Sequence, residues 1–351
     1  MRILAAVDKF RGTATAHEVA SAIGDACWDL GHEVVELPLA DGGEGLLEVF
    51  GGANRHHRVT GPLGTPLDAG WRLNGRTAII EMAQAAGLEI AGGADANRPL
   101  DATTAGVGEL ILHAIAVGAR RIIVGLGGSA TTDGGLGAVQ AIGSPGRLKG
   151  IDLRIACDVT TTFVDAARVF GPQKGATPSH VDLLTGRLQR LAQVYETDYG
   201  VDVSEVSGSG AAGGLAGGLV ALGGVIEPGF DLVADEVGLF DAIEHTDMVI
   251  TGEGHLDAQS FEGKVVGGVS RIASEHDIPV AVICGFADND VADRLPTYSL
   301  TERYGLDAAT SQTRRLITET SREILSTFTT CLLYTSPSPR DVEESRMPSS
   351  A

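Results

Sequence analysis

The chain has 351 residues and a net charge of −20 at neutral pH, with 43% hydrophobic and 21% charged side chains. So acidic a chain lacks the basic face that nucleic acid or an anionic membrane surface attracts, which sets both aside as partners. No apolar run reaches the length of a bilayer span and the opening MRILAAVDKF lacks a signal-peptide layout, so a cytoplasmic protein with the reduced thiols Cys27, Cys157, Cys284 and Cys331 is expected.

Residues Arg2 to Val7 read as a buried strand and Ala16 to Leu30 as a helix, with Thr15 and Glu18 at capping-box spacing. Between them lies a loop that mixes acid and base, Asp8-Lys9-Phe10-Arg11. A second strand, Glu33 to Leu39, runs into Asp41-Gly42-Gly43-Glu44-Gly45, whose carboxylates suit Mg²⁺ or a substrate hydroxyl and equally suit capping of the next helix. Arg55 to Gly75 is polar and turn-rich, with His56 and His57 in a polar loop; Thr77 to Met82 is strand-like and Asp101 to Val117 helical.

The densest stretch is Arg121 to Gly137, RIIVGLGGSATTDGGLG. It packs a β-branched strand, a turn through Gly127, Gly128 and Ser129, the carboxylate of Asp133 and a helix start into one run, an arrangement that places a ligand at the carboxyl end of a parallel strand. A plain strand-to-helix connection with a hydroxyl cap fits the same residues. Ile151 to Ala156 is a strand ending at Asp158, a candidate metal or hydroxyl ligand. Of 26 basic residues only Lys9, Lys149, Lys174 and Lys264 are lysines, so Lys174 in FGPQKGA and Lys264 in FEGK stand out as compact charges for phosphate. Coding bias toward arginine explains the scarcity equally.

Val181 to Tyr195 reads as an amphipathic helix followed by an acidic loop to Glu205. Gly208 to Gly213 matches G-x-G-x-x-G without a preceding buried strand, so helix packing competes with a dinucleotide turn and a nicotinamide oxidoreductase is disfavoured. The strand Asp247 to Thr251 leads into Glu253, His255 and Asp257 and then Lys264, a grouping that metal-assisted phosphoryl transfer requires. Val280 to Gly285 supplies a last core strand, Arg314 to Phe328 a closing helix, and 331–351 a disordered tail of non-native character.

DKFRGTATAHEVASAI, PLADGGEG, VGLGGSATTDGGLG, CDVTT, VFGPQKGA, GSGAAGGLAGGL and VITGEGHLDAQSFEGK, in that order from Met1 to about Phe328, resemble the motifs of the bacterial glycerate kinases that lack a P-loop. The resemblance implies an α/β fold of two lobes: a Rossmann-like parallel-sheet lobe from 1–82 plus 249–330, and a second α/β lobe from 83–248. It implies ATP and Mg²⁺ as cofactors, D-glycerate as the small-molecule substrate and 2-phosphoglycerate as the product. The individual roles are inferred from residue chemistry at these motif positions: catalytic for Asp41 or Asp133 near the accepting hydroxyl, for Asp257, and for Arg11 on the glycerate carboxylate. Substrate or phosphate contacts are implied for Asp8, Lys9, Glu44, Gly127, Gly128, Ser129, Lys174, Glu253 and Lys264, and metal ligation for Asp158 and Asp257. Arg11 and His255 replace the family's usual lysine and arginine, and the link from Ile142 to Ile151 is shorter than in relatives. A relative that binds glycerate or nucleotide without turnover is the alternative.

Overall fold

The computed structural model describes residues 1–335, and side chains as far as Thr329. Its strands, in chain order, are β1 (Arg2–Val7), β2 (Glu33–Pro38), β3 (Arg55–Thr60), β4 (Pro66–Asn74), β5 (Thr77–Glu81), β6 (Arg121–Gly125), β7 (Asp152–Ala156), β8 (Val225–Glu227), β9 (Met248–Leu256), β10 (Val280–Ala287) and β11 (Thr297–Ser299). They form two sheets, of order β11-β10-β9-β1-β2 and β3-β4-β5-β6-β7-β8.

In the first sheet β1 pairs with β9, β9 with β10 and β10 with β11, all parallel. Ile3 to Val7 are wholly buried, as befits a strand covered on both faces. The helix Ala16–Asp29 follows it with the expected capping box, Thr15 Oγ1 accepting from Glu18 N at 3.1 Å and Glu18 Oε2 from Thr15 N at 2.9 Å. The chain passes from β1 to β2 in one direction and from β9 to β10 in the other, so the carboxyl ends of β1 and β9 flank a topological switch point, where open α/β sheets take ligands.

The second sheet is mixed. β3–β4 and β4–β5 are antiparallel, while β5–β6, β6–β7 and β7–β8 are parallel. Its core gathers around Trp71, Ile80, Val107, Val124, Phe163 and Leu188.

Several expectations change here. Ile79 pairs with Ile123 and Ile80 with Val124, so 55–81 belong to the sheet of the middle of the chain and not with β1. Two compact units result, one of 1–37, 242–257 and the described residues from 273 to 335, the other of 38–241 with 258–272, in place of boundaries at 82 and 249. The polar stretch around His56 is strand: RHHRVT pairs along β4, and His57 Nδ1 accepts the buried Trp71 indole N–H at 3.0 Å. Its alternation was hidden because β3 lies at the sheet edge and buries only Val59 fully. The helix Pro178–Tyr199 extends past Tyr195 into the expected acidic loop. The helix Thr313–Thr335 likewise runs into the expected disordered tail, whose residues 336–351 lie outside the described residues. Among the described residues no helix is long and apolar enough to cross a membrane.

Candidate active site

Beyond β6 the chain turns through Gly127 and Gly128, and the two glycines serve different ends. Gly128 has φ +68°, which side-chain-bearing residues rarely adopt. A Cβ on Gly127 would lie 2.4 Å from Glu44 N, so that glycine lets the β6 loop and the Asp41–Gly45 loop touch backbone to backbone. The loop's other edge is tied down by residues 86–97. Leu88 N donates to Gly128 O at 2.8 Å, Gly87 bridges Ser129, and Ala130 N donates to Ala86 O at 2.9 Å. Asn97 Nδ2 donates to Ala130 O at 3.0 Å and to Lys174 O at 2.8 Å.

These loops enclose a cavity of about 450 Å³ that brings together Asp41, Gly127, Gly128, Ser129, Asp158 and Lys174, within the range of small-molecule sites. Lys174 is 2% exposed; its Nζ donates to Thr131 O at 2.7 Å and lies 5.9 Å from the Phe170 ring centroid. Burial pushes the ammonium down to about 7, against the attraction of Asp133. Asp158 Oδ1 accepts from Gly229 N at 2.8 Å, at the start of the helix Gly229–Val237. Solvent reaches Asp158, yet the packed side of the cavity and then the charges of Asp41 and Asp231 push its carboxyl up to about 7, against the Gly229 N–H and Lys264. Asp41 Oδ1 accepts from Gly43 N at 3.2 Å, an Asx turn and not a helix cap.

A carboxylate pushed up by burial and by a neighbouring carboxylate, as Asp158 is beside Asp41, suits a hard divalent cation. Mg²⁺ commonly takes one or two carboxylates and completes its shell with phosphate oxygens and water. Among the described residues no group of three acidic, His or Cys side chains is poised for a metal, so a cation held by Asp158 would draw on substrate and water for the rest.

Asp133 stands apart. It accepts from Thr104 N and Thr104 Oγ1, both at 2.8 Å, from Gly135 N at 3.0 Å and from Gly137 N at 3.1 Å. It borders a groove of about 430 Å³ with Leu136, Leu188 and Leu191. Burial raises its pKa while the four donors oppose the rise, and the arrangement is that of a clamp holding the loop to the start of the helix Ala105–Ala116.

The remaining candidates fall in two places. Lys264 and the exposed Glu44 belong to the same unit as the cavity, and Lys264 is near enough to Asp158 to lower its pKa. Asp8, Lys9, Arg11, Glu253 and Asp257 belong to the other unit, on the segments that leave β1 and end β9. There Asp8 N donates to Gly252 O at 2.9 Å, Lys9 N to Asp8 Oδ1 at 2.7 Å, and a Cβ on Gly254 would meet Arg11 N at 3.1 Å. His255 Nε2 sits 2.9 Å from Asp288 Oδ1.

Sequence reasoning passed over Asn97, Thr104 and the buried Glu81, which accepts from Gly45 N and Leu47 N at the start of the helix Leu46–Val49. Their signal is faint, because a lone Asn or Thr in a turn or a Glu closing a strand reads as ordinary. Gly208 to Gly213 turns out to be packing. Cβ atoms on Gly210 and Gly213 would lie 2.2 Å from Thr162 O and 2.0 Å from Thr131 O, and no strand precedes it. Cys27 and Cys284 are buried thiols, and Cys157 lines the cavity.

A sequence profile of the glycerate kinase family matches residues 3–147 and 144–332. The chain is 39% identical over 351 residues to the glycerate 2-kinase of Escherichia coli K12, covering 89% of this chain and 90% of the relative. It is 38% identical over 330 residues to the glycerate kinase of Bacillus subtilis 168, covering 83% and 86%. A solved structure from Salmonella typhimurium LT2, described as that of a glycerate kinase 2, superposes with a TM-score of 0.82 at 35% identity, covering 95% of this chain and 99% of that one.

Proposed function

The chain belongs to the glycerate kinase family and is a kinase, and from that premise we propose that it transfers the γ-phosphoryl group of ATP, with Mg²⁺, to the 2-hydroxyl of D-glycerate. The observation that carries the assignment is the single cavity shared by the buried Lys174 ammonium, the glycine loop and the carboxylates Asp41 and Asp158. Phosphoryl transfer requires little covalent help from a protein. It requires positive charge for the equatorial oxygens, a carboxylate for the hydroxyl proton and close positioning.

Lys174 and the Gly127–Ser129 backbone hold the anionic group, as a desolvated ammonium beside a tight turn is equipped to do. Asp41 stands for the accepting hydroxyl and takes its proton as the oxygen–phosphorus bond forms. The bond from the γ-phosphorus to the bridging oxygen breaks, and ADP carries that electron pair away. Asp158 is assigned to the cation, which when bound neutralises phosphate charge. Asp133 is withdrawn from proton transfer because four donors already occupy its carboxylate. Asp8, Lys9, Arg11, Glu253 and Asp257, at a switch point of parallel strands, are of the kind that takes phosphates and their counter-ion.

The test is a product assay with purified protein, ATP, Mg²⁺ and D-glycerate, resolved by phosphorus NMR. Glycerate-dependent formation of 2-phosphoglycerate is expected. Formation of the 3-phospho isomer overturns the regiochemistry alone, and glycerate binding without ADP formation overturns the kinase assignment in favour of a binding relative.

A further inference from the structure

Lys174 must be kept dry and aimed, and the backbone around it shows how. It lies in the short turn Pro172–Lys174, and Gly175 behind it has φ +85°. A Cβ on Gly175 would meet Ala94 O at 2.1 Å, so residues 93–97 are packed directly on the turn that carries the lysine. Asn97, 8% exposed, spends both hydrogens of its amide there, one on Lys174 O and one on Ala130 O. The orientation of that amide is unambiguous, because a flip would set its oxygen against two carbonyl oxygens. Ala130 O is one residue from Thr131 O, which receives the ammonium. One side chain therefore links the backbone of the lysine to the backbone of the loop that the same lysine's Nζ grips, closing a ring through Asn97, Lys174, Thr131 and Ala130.

We propose that Asn97 is a positioning residue that sets the Lys174 ammonium against the glycine loop, acting on the reaction only through that lysine. Asn97 does not line the cavity itself. Its Oδ1 is buried without a hydrogen-bond partner, a desolvation cost that a merely space-filling residue would avoid. The catalytic consequence rests on the glycerate kinase reading; the hold on Lys174 does not, and the two are tested separately. The charged group that faces Lys174 is Asp133, with the Phe170 ring beside it.

The first experiment reads the lysine itself. With only four lysines in the chain, protein labelled with ¹³C at lysine Cε gives four signals, and Lys174→Met identifies the one from Lys174. In Asn97→Ala the loosened turn admits water, and the Lys174 midpoint is expected to climb by at least about one pH unit toward the free-lysine value. An unchanged midpoint in folded Asn97→Ala overturns the proposal. Asn97→Asp, which keeps the size but presents an oxygen to both carbonyls, is expected to give the same displacement. If neither variant folds, Asn97 is a folding residue and the positioning role is overturned.

The second experiment is a kinetic cycle. Asn97→Ala is expected to lower kcat about tenfold while KM for glycerate stays within about twofold, the split expected when a group that acts on the transferring phosphoryl oxygens is misplaced. In a Lys174→Met background the same change should add less than about twofold, since the group it positions is gone. Effects that multiply independently overturn the proposal. A wild-type protein inert toward glycerate whose Lys174 midpoint still moves in Asn97→Ala sinks the kinase reading and leaves the positioning role standing.

Discussion

Lys174 and Asp133 are both held to the loop after β6, and their hydrogen bonds separate their chemistry. A lysine with one hydrogen bond to its ammonium and 2% exposure costs the fold stability, which is the mark of a group retained for function. Folding lowers its pKa from 10.5 to about 7, so between those values the unfolded chain binds more protons and stability rises with pH. Below about 7 both states carry the proton, and the full cost is present. Melts of the wild type should therefore gain stability from pH 7 toward 10, and Lys174→Met should lack that slope while losing at least about 100-fold in glycerate turnover. A Lys174→Met enzyme of normal activity would remove the lysine from the site. Asp133→Asn, by contrast, turns an amide toward four donors and is expected to cost about 2–4 kcal/mol, read as a lowered urea midpoint, with residual turnover per folded molecule. The scarcity of lysine made Lys174 legible in the sequence. The hold of Thr104 on Asp133 was not, because the two residues lie 29 positions apart in the chain.

At the scale of elements, the cavity is built by close backbone approach, so its glycines are structural before they are functional. The kinked helix Ala211–Ala221 shows this: Ala212, Gly213 and Gly214 all have positive φ, and Gly213 presses on Thr131 O, the carbonyl that holds Lys174. Gly213→Ala combines a φ of +69° with a Cβ 2.0 Å from that oxygen. It should cost about 1–3 kcal/mol and lower turnover together, because the displaced carbonyl is the ammonium's acceptor. A melt and an activity equal to wild type would show that the helix start adapts without moving Thr131. Buried parallel strands such as β1 and β6 were legible because both faces are apolar over four or five residues. The hairpin of β3 and β4 was not, since an edge strand with five of six positions open to some solvent carries almost no apolar period. Nor was the tie formed by 86–97, whose hydrogen bonds are mostly backbone and leave no trace in side-chain identity.

For the whole molecule, the question raised by the sequence is whether the short link before β7 removes part of the site. The two family matches, 3–147 and 144–332, meet within that link. It leaves the helix Leu136–Ile142, makes the turn Pro145–Leu148 and enters β7 at Asp152, which pairs with Arg121 at the start of β6. Ser129 and Asp158 lie beyond the other ends of those strands, where Gly125 pairs with Ala156. A five-residue strand spans about 16 Å, so the link and the cavity occupy opposite ends of the sheet. Only Leu148 of the link is buried, while Gly143 to Arg147 are exposed. Adding Gly-Ser-Gly-Ser between Gly146 and Arg147 should then cost less than about 1 kcal/mol, the order expected for lengthening a surface loop. Glycerate-dependent ADP release should stay within about twofold of wild type, since no group at the cavity moves. The same four residues placed between Gly128 and Ser129 should abolish ADP release, because the Leu88–Gly128 and Ala86–Ala130 ties then cannot both form in register. Loss of activity in a well-folded insertion at 146 would show instead that the link reaches the site through the body of the sheet, and would make its length a determinant of catalysis.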